Sequence, residues 1–383
     1  MSRTQNFEVA VLGVGAVGSA ALYHLAKRGI RAVGIDRFVP GHDRGSSHGD
    51  TRVIRKAYFE DPAYVPLLHR AYDGWEALEA ATGEALFRRT GLIEVGPPDG
   101  YVVPGVLRAA EEHGLDVEAL SASELEARYP GFFVPEGMTG VYEADGGFLE
   151  VEACVMAHAR LAEAAGAELM TGVTIEGVAG DGDGAVVTTS QGVVRADAVI
   201  LSAGAWAGDL TAGLGLPLRV KRKVLLWYPL KAQPAPQYAV ADRSPVFLYE
   251  FPEGVYYGFP STDGSTLKVA CHDDGLYIDE PLALDRTLHT FDHEAVDAFL
   301  AAHMSGVQPH SPSRHAVCMY TVTPDLHMVV DRLPGLQNSW YAAGLSGHGF
   351  KYSNALGEAL VTRVLSEDSP VDLTPFLASR FRS

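Results

Sequence analysis

The run Gly13-Val-Gly-Ala-Val-Gly18 constrains this chain more than any other feature, because of what stands on either side of it. Val9 to Leu12 is a short apolar stretch that predicts a buried parallel strand. Glycines at this spacing serve a tight turn (Gly13), close approach to a pyrophosphate (Gly15) and close packing of helix on strand (Gly18). From Ala16 to Arg28 the apolar residues Val17, Ala21 and Leu25 keep helical spacing, and Gly29 suits the helix end. A second strand, Ala32 to Ile35, then delivers Asp36. That carboxylate falls about 20 residues past the glycines, where an acid accepts from a ribose hydroxyl and repels a 2′-phosphate. Strand, glycines, helix, strand and acid in this order predict a dinucleotide-binding first unit. This unit does not separate FAD from NAD, and it disfavours NADP.

A chain of 383 residues is too long for one ordinary core, so two domains are expected. The net charge of −18 argues against a nucleic-acid partner and against an anionic membrane surface. Three cysteines, Cys154, Cys271 and Cys318, make no disulfide framework and suit a reduced compartment. No eighteen-residue apolar run occurs, and the Val9–Ala26 stretch is better explained by the glycine unit than by a leader. A cytoplasmic setting is the expectation.

Beyond the first unit, Gly45-Ser-Ser-His-Gly-Asp-Thr-Arg-Val-Ile-Arg55 reads as a polar, turn-rich, doubly cationic loop. Helical patterns cover 64–82, 104–128 and 152–165, and Cys154 falls inside the last as a core residue. A buried strand from Ala198 runs into a glycine turn at 204, a return to the cofactor sheet. From Lys223 to His272 strands and aromatics alternate, which predicts a large antiparallel sheet with one face toward a pocket. Without repeats or low-complexity linkers, the domains are expected to interleave. Residues 1–85, 150–220 and 318–383 are assigned to the cofactor domain, and 86–149 with 221–317 to a substrate domain. No Cys-x-x-Cys or His-Glu-x-x-His occurs, so no metal ligands are expected.

Several segments together carry a resemblance. Gly45–Arg55, Tyr256-Tyr-Gly-Phe-Pro260, Lys268 with His272, Cys318-Met-Tyr-Thr321 and Gly347-His-Gly-Phe-Lys351 resemble the monomeric sarcosine oxidase family, which includes N-methyl-tryptophan and pipecolate oxidases. The likeness runs nearly end to end. It implies an α/β fold, α+β overall: a glutathione-reductase-like FAD-binding Rossmann domain interleaved with a domain built on an antiparallel sheet. It also implies oxidation of a secondary amino acid by O2, giving an imine that hydrolyses and hydrogen peroxide, by a monomer. Sarcosine, N-methyl aromatic amino acids, pipecolate and proline all remain open as substrates. A flavin- or NAD-linked dehydrogenase that does not use O2 is the competing class.

Residue by residue, the resemblance implies the following. Cys318 carries the flavin through an 8α-thioether, although a lone cysteine among apolar neighbours is ordinarily a small buried hydrophobe. Arg55 and Lys351 hold the substrate carboxylate, the arginine as a fork and the lysine as a point charge. Arg52 places a cation beside the flavin ring, and Lys268 another near its N5, where oxygen is first reduced. His272 and Tyr257 surround the substrate amine, and His272 serves as a base if its pKa lies near working pH. Tyr320 and His48 line the pocket. The cofactor set comprises Gly13, Gly15, Gly18, Asp36, Arg37, Ser46, Thr51, Val173, Gly204, Cys318, Gly344, Gly347, Gly349 and, a second time, Lys351. His348 shapes the Gly-His-Gly loop.

Overall fold

Gln5–Leu12 (β1), Ala16–Lys27 (α1) and Ala32–Ile35 (β2) form the expected strand–helix–strand unit. In the computed structural model, which describes residues 5–182, 184–232 and 238–381, β1 lies in parallel between β2 and Gly192–Leu201. The first four and last two residues of the expected cofactor segments lie outside the described residues. Glu168–Met170 adds a parallel strand outside β2, and Trp340–Ala343 pairs in parallel with the end of Gly192–Leu201. Helix α1 is covered by Val151–Ala164 and Ser353–Val364, and its buried residues Val17, Ala21, Leu22 and Leu25 explain its apolar stripe. The carboxyl ends of β1, β2 and Gly192–Leu201 therefore meet beside the first turn of α1, where sheets of this kind hold ligands.

A second sheet of nine strands contains Arg219–Pro229, Val246–Phe251, Gly254–Phe259, Thr266–Cys271 and Arg314–Val322. It is antiparallel except at one place, where Val246–Phe251 runs parallel to Leu92–Gly96. The period-2 pattern sorts its side chains. Ile93, Val95, Leu226, Phe247, Tyr249, Val269 and Met319 pack outward with Phe299 and Leu300 of the Glu294–His303 helix. On the opposite face Leu92, Leu248, Tyr257, Phe259, Ala270 and Cys318 form a different cluster. Glu94, Lys268 and Tyr320 alternate in step with that inner face. A three-stranded sheet of Thr51–Ile54, Phe87–Arg88 and Gly147–Glu150 bridges the two.

Two expectations change. Residues 104–128 are not one helix: Val102–His113 ends at Gly114, whose φ of +63 stops it, and Glu118–Ser121 is a strand. A new helix, Ala122–Arg128, starts there because Ser121 and Glu124 form a capping box. Arg52 stands on a strand rather than a loop, since Thr51–Ile54 pairs with Gly147–Glu150. The expected boundaries at 220/221 and 317/318 both fall inside strands of the larger sheet, Arg219–Pro229 and Arg314–Val322, which pair from Arg219 with Val322 to Trp227 with Arg314.

Candidate active site

A cleft of about 1410 Å³, counted with the solvent space at its mouth, opens at the end of the parallel sheet. Gly13, Gly15, Asp36, Arg37, Ser46, Val173, Gly204, Gly344, Gly347 and Gly349 line it, as does Arg52. Gly13 adopts φ +89, and a Cβ there would lie 2.6 Å from the Ser202 carbonyl oxygen. Gly18 lies behind the wall, where a Cβ would overlap the Gly13 carbonyl, so its role is packing of helix on strand. The Asp36 carboxylate accepts from the Val14 N–H at 2.7 Å and the Phe38 N–H at 2.8 Å, which fixes the glycine turn and leaves lone pairs for a ligand. No side chain caps the N-terminus of α1 at Gly15, so its first amides remain available to an anion. The buried Trp206 Nε1 and Thr321 Oγ1 line the same cleft without a hydrogen-bond partner among the described residues. A cleft with an anion-ready helix end and orphaned polar atoms fits the chemistry of FAD.

A second cavity of about 530 Å³ adjoins the first, and Arg52, Tyr320, Gly347 and Phe350 line both. Arg55, Tyr257, His272 and Lys351 face this inner chamber. Lys351, expected at both sites, lines the second alone because its ammonium turns back to donate to the His348 carbonyl at 2.8 Å. Burial and the Arg55 charge lower the Lys351 pKa to about 7. Burial opposes the Arg55 charge, but Glu60 and Glu94 outweigh it and hold its pKa above the ordinary value. Burial lowers His272 to about 4, so its ring is neutral over the working range rather than titrating near it. Tyr257 and Tyr320 approach each other through their hydroxyls at 3.4 Å.

Cys318 is fully buried, with Sγ 3.4 Å from Arg52 Nη2 and 3.5 Å from the Ser46 carbonyl oxygen. Lys268 and Thr51 stand just behind the cleft wall. Lys268 lines neither cavity: its Nζ donates to the Gly49 carbonyl at 2.6 Å, the Thr51 carbonyl at 2.7 Å and the Thr51 hydroxyl at 3.1 Å. Burial, then Arg52, lower its pKa well below that of an ordinary lysine. From the other side, Glu152 accepts from the Gly49 N–H at 2.6 Å and the Asp50 N–H at 3.2 Å. The 45–55 segment is thus pinned by the sheet and by a helix together. His48 lines neither cavity; it is buried beside Arg52 and Lys268, and burial holds its pKa near 3.

Glu60 and Phe59 in the inner chamber escape the sequence reading, as does Glu94 behind it. Glu60 Oε2 accepts from Arg55 Nη2 at 2.5 Å, and the Phe59 ring lies 4.3 Å from the guanidinium. Glu94 did leave a trace, an acid interrupting the apolar run Leu92-Ile-Glu-Val95. Among the described residues no helix is long and apolar enough to cross a membrane, and no His/Cys/Asp/Glu group is arranged to hold a metal.

The chain belongs to the FAD dependent oxidoreductase family, which it matches over residues 8–363. It is 38% identical to the monomeric sarcosine oxidase of Arthrobacter sp. (strain TE1826) across 99% of this chain and 98% of that protein. It is 35% identical to the N-methyl-L-tryptophan oxidase of Salmonella enteritidis across 98% and 99% respectively. Among solved structures, NikD, an amino acid oxidase essential for nikkomycin biosynthesis, superposes with a TM-score of 0.84 at 24% identity, covering 97% of each chain. The L-proline dehydrogenase of P. horikoshii does so with 0.83 at 21%, covering 99% of each. These two likenesses concern the fold. The protein is an FAD-dependent oxidoreductase.

Proposed function

We propose that this enzyme oxidises a secondary amino acid, sarcosine or a similar N-methyl amino acid, at its C–N bond, with O2 as final acceptor. The imine then hydrolyses, giving glycine and formaldehyde in the case of sarcosine, and O2 leaves as hydrogen peroxide. The observation that carries this reading is the junction of the two cavities, where a chamber with two buried cations opens directly onto the cofactor cleft. Arg55 and Lys351 hold the carboxylate, and Tyr257 and His272 face the amine. With its pKa lowered to about 4, His272 is too weak a base to take the amine proton, and in this reading it lines the chamber around the amine as a neutral ring. FAD, when bound, supplies the acceptor for the two electrons removed from the substrate. Gly13, Gly15, Asp36, Arg37, Val173 and the Gly344–Gly349 loop would hold it, with Arg52 and Lys268 as fixed cations on the side of Cys318.

Cys318 is the attachment point in this reading, because Ser46 and Arg52, which touch its sulfur, both line the cleft. Forming the thioether would remove two electrons and two protons, which O2 would take up as peroxide. The relatives named as monomeric sarcosine oxidases support a monomer. The apolar wall of Phe59, Leu248 and Val255 favours a second reading, a cyclic imino acid such as pipecolate or proline. A peroxide-coupled screen of the purified protein against sarcosine, an N-methyl aromatic amino acid, pipecolate and proline tests both. Substrate oxidation without peroxide would point to a dehydrogenase.

A further inference from the structure

Glu94 lies at the middle of Leu92–Gly96, fully buried, and its neighbours Ile93 and Val95 point to the opposite face of the sheet. Among the described residues neither of its carboxylate oxygens accepts a hydrogen bond. Its Oε1 is 3.3 Å from Arg55 Nε, poorly aligned for a hydrogen bond, and that Nε also has no hydrogen-bond partner. Two other acids are buried nearby, and both are served. Glu60 receives Arg55 Nη2, and Glu143 receives the Lys56 N–H at 2.7 Å and the Ala57 N–H at 3.1 Å. A buried carboxylate without donors is costly as an anion and cheaper as a neutral acid. Of the three, Glu94 is where a proton belongs.

We propose that Glu94 is a positioning residue for Arg55 and must keep its proton while the chamber holds a carboxylate. The proposal rests on the carboxylate clamp of the preceding section. Glu94 faces Arg55 and Glu60 from the segment after Thr51–Ile54, Glu143 from the adjacent strand, and Lys351 from the 350–352 turn. Arg55 is already engaged by the ionised Glu60, which it holds near a pKa of 2 against the effect of burial. A second negative charge at Arg55 Nε would draw the guanidinium back from an incoming anion. A neutral Glu94 supports the fork without competing for it.

Burial raises the Glu94 pKa to about 8. Loss of its proton above that value weakens carboxylate binding, and loss of the Lys351 proton above about 7 does so separately. The test titrates the holoenzyme with propionate from pH 6.5 to 9.5, read by flavin absorbance, with propionamide as the neutral control. Wild type is expected to lose affinity in two steps, each approaching about tenfold per pH unit. Glu94→Gln should match wild type at pH 7, lose the step near 8, and bind propionate about tenfold or more better than wild type at pH 9.5. Lys351→Met should retain the Glu94 step, displaced upward because a charge that lowers it is gone, and that profile decides the matter if Glu94→Gln fails to fold. A purely structural Glu94 would shift affinity equally at every pH. Identical slopes above pH 8 in wild type and Glu94→Gln, or a flat profile in Lys351→Met, overturn the proposal. Propionate that binds wild type at no pH overturns the clamp itself, and this inference with it.

Discussion

Lys268 is bound twice to Thr51, through the carbonyl at 2.7 Å and the hydroxyl at 3.1 Å, and its third donor goes to Gly49. A lysine that ties down its own cleft wall has two functions that a single substitution removes together. Lys268→Met leaves two buried carbonyls without this donor, at a cost of about 1–3 kcal/mol each. If oxygen is reduced beside this cation, reoxidation of the substrate-reduced enzyme should slow by roughly 10²–10³-fold, while anaerobic reduction by substrate falls much less. Stopped-flow measurement of the two half-reactions separates the functions. Unchanged reoxidation with collapsed reduction would assign Lys268 to holding the 45–55 segment alone.

The linkage through Cys318 is checked by acid precipitation, which should leave the yellow chromophore in the protein pellet. Cys318→Ser should release free FAD into the supernatant. Cys154→Ala should keep the linkage, because Cys154 is buried inside the Val151–Ala164 helix, in the core cluster that also holds Val17 and Trp75. Free FAD recovered from fully loaded wild type would remove Cys318 from the site.

Arg55→Lys keeps the charge and loses the planar fork, which a carboxylate engages through two parallel bonds. One charge-assisted bond is worth about 1.5–3 kcal/mol, so KM should rise roughly ten- to hundredfold. Steady-state kinetics measure this, with circular dichroism confirming the fold. Comparable turnover of an amino acid and its decarboxylated amine would show that no clamp operates.

The first unit was legible because each of its residues answers a local demand: Gly13 a positive φ, Gly18 a backbone contact, Asp36 the end of a short strand. Arg55, Tyr257, His272 and Lys351 were legible as motifs, and the structure brings them to one chamber. What escaped depends on partners remote in sequence. Glu94 meets Arg55 from a strand, Leu92–Gly96, whose parallel partner Val246–Phe251 is remote in sequence. The direction of the Lys268 ammonium follows from where Gly49 and Thr51 lie, about 220 residues away in sequence, which no periodicity encodes.

Buried neutral histidines give the last prediction. Burial lowers His158 and His348 to about 3 and His24 and His272 to about 4. In the unfolded chain each takes a proton near pH 6.5, whereas in the folded protein it resists until far lower. A depressed folded pKa therefore contributes nothing to the pH dependence above 6.5. Stability is lost as pH falls from 6.5 toward 4, by up to about 1.4 kcal/mol per pH unit for each histidine. The unfolding midpoint should drop steeply between pH 7 and 5. His158, which packs against Tyr23 and Trp75 outside both cavities, isolates one contribution. His158→Gln should lower Tm at pH 7.5 and flatten the acid limb, narrowing the gap to wild type at pH 5. Thermal melts at the two pH values measure this, and an undiminished gap at pH 5 would show that His158 is not the group taking up the proton.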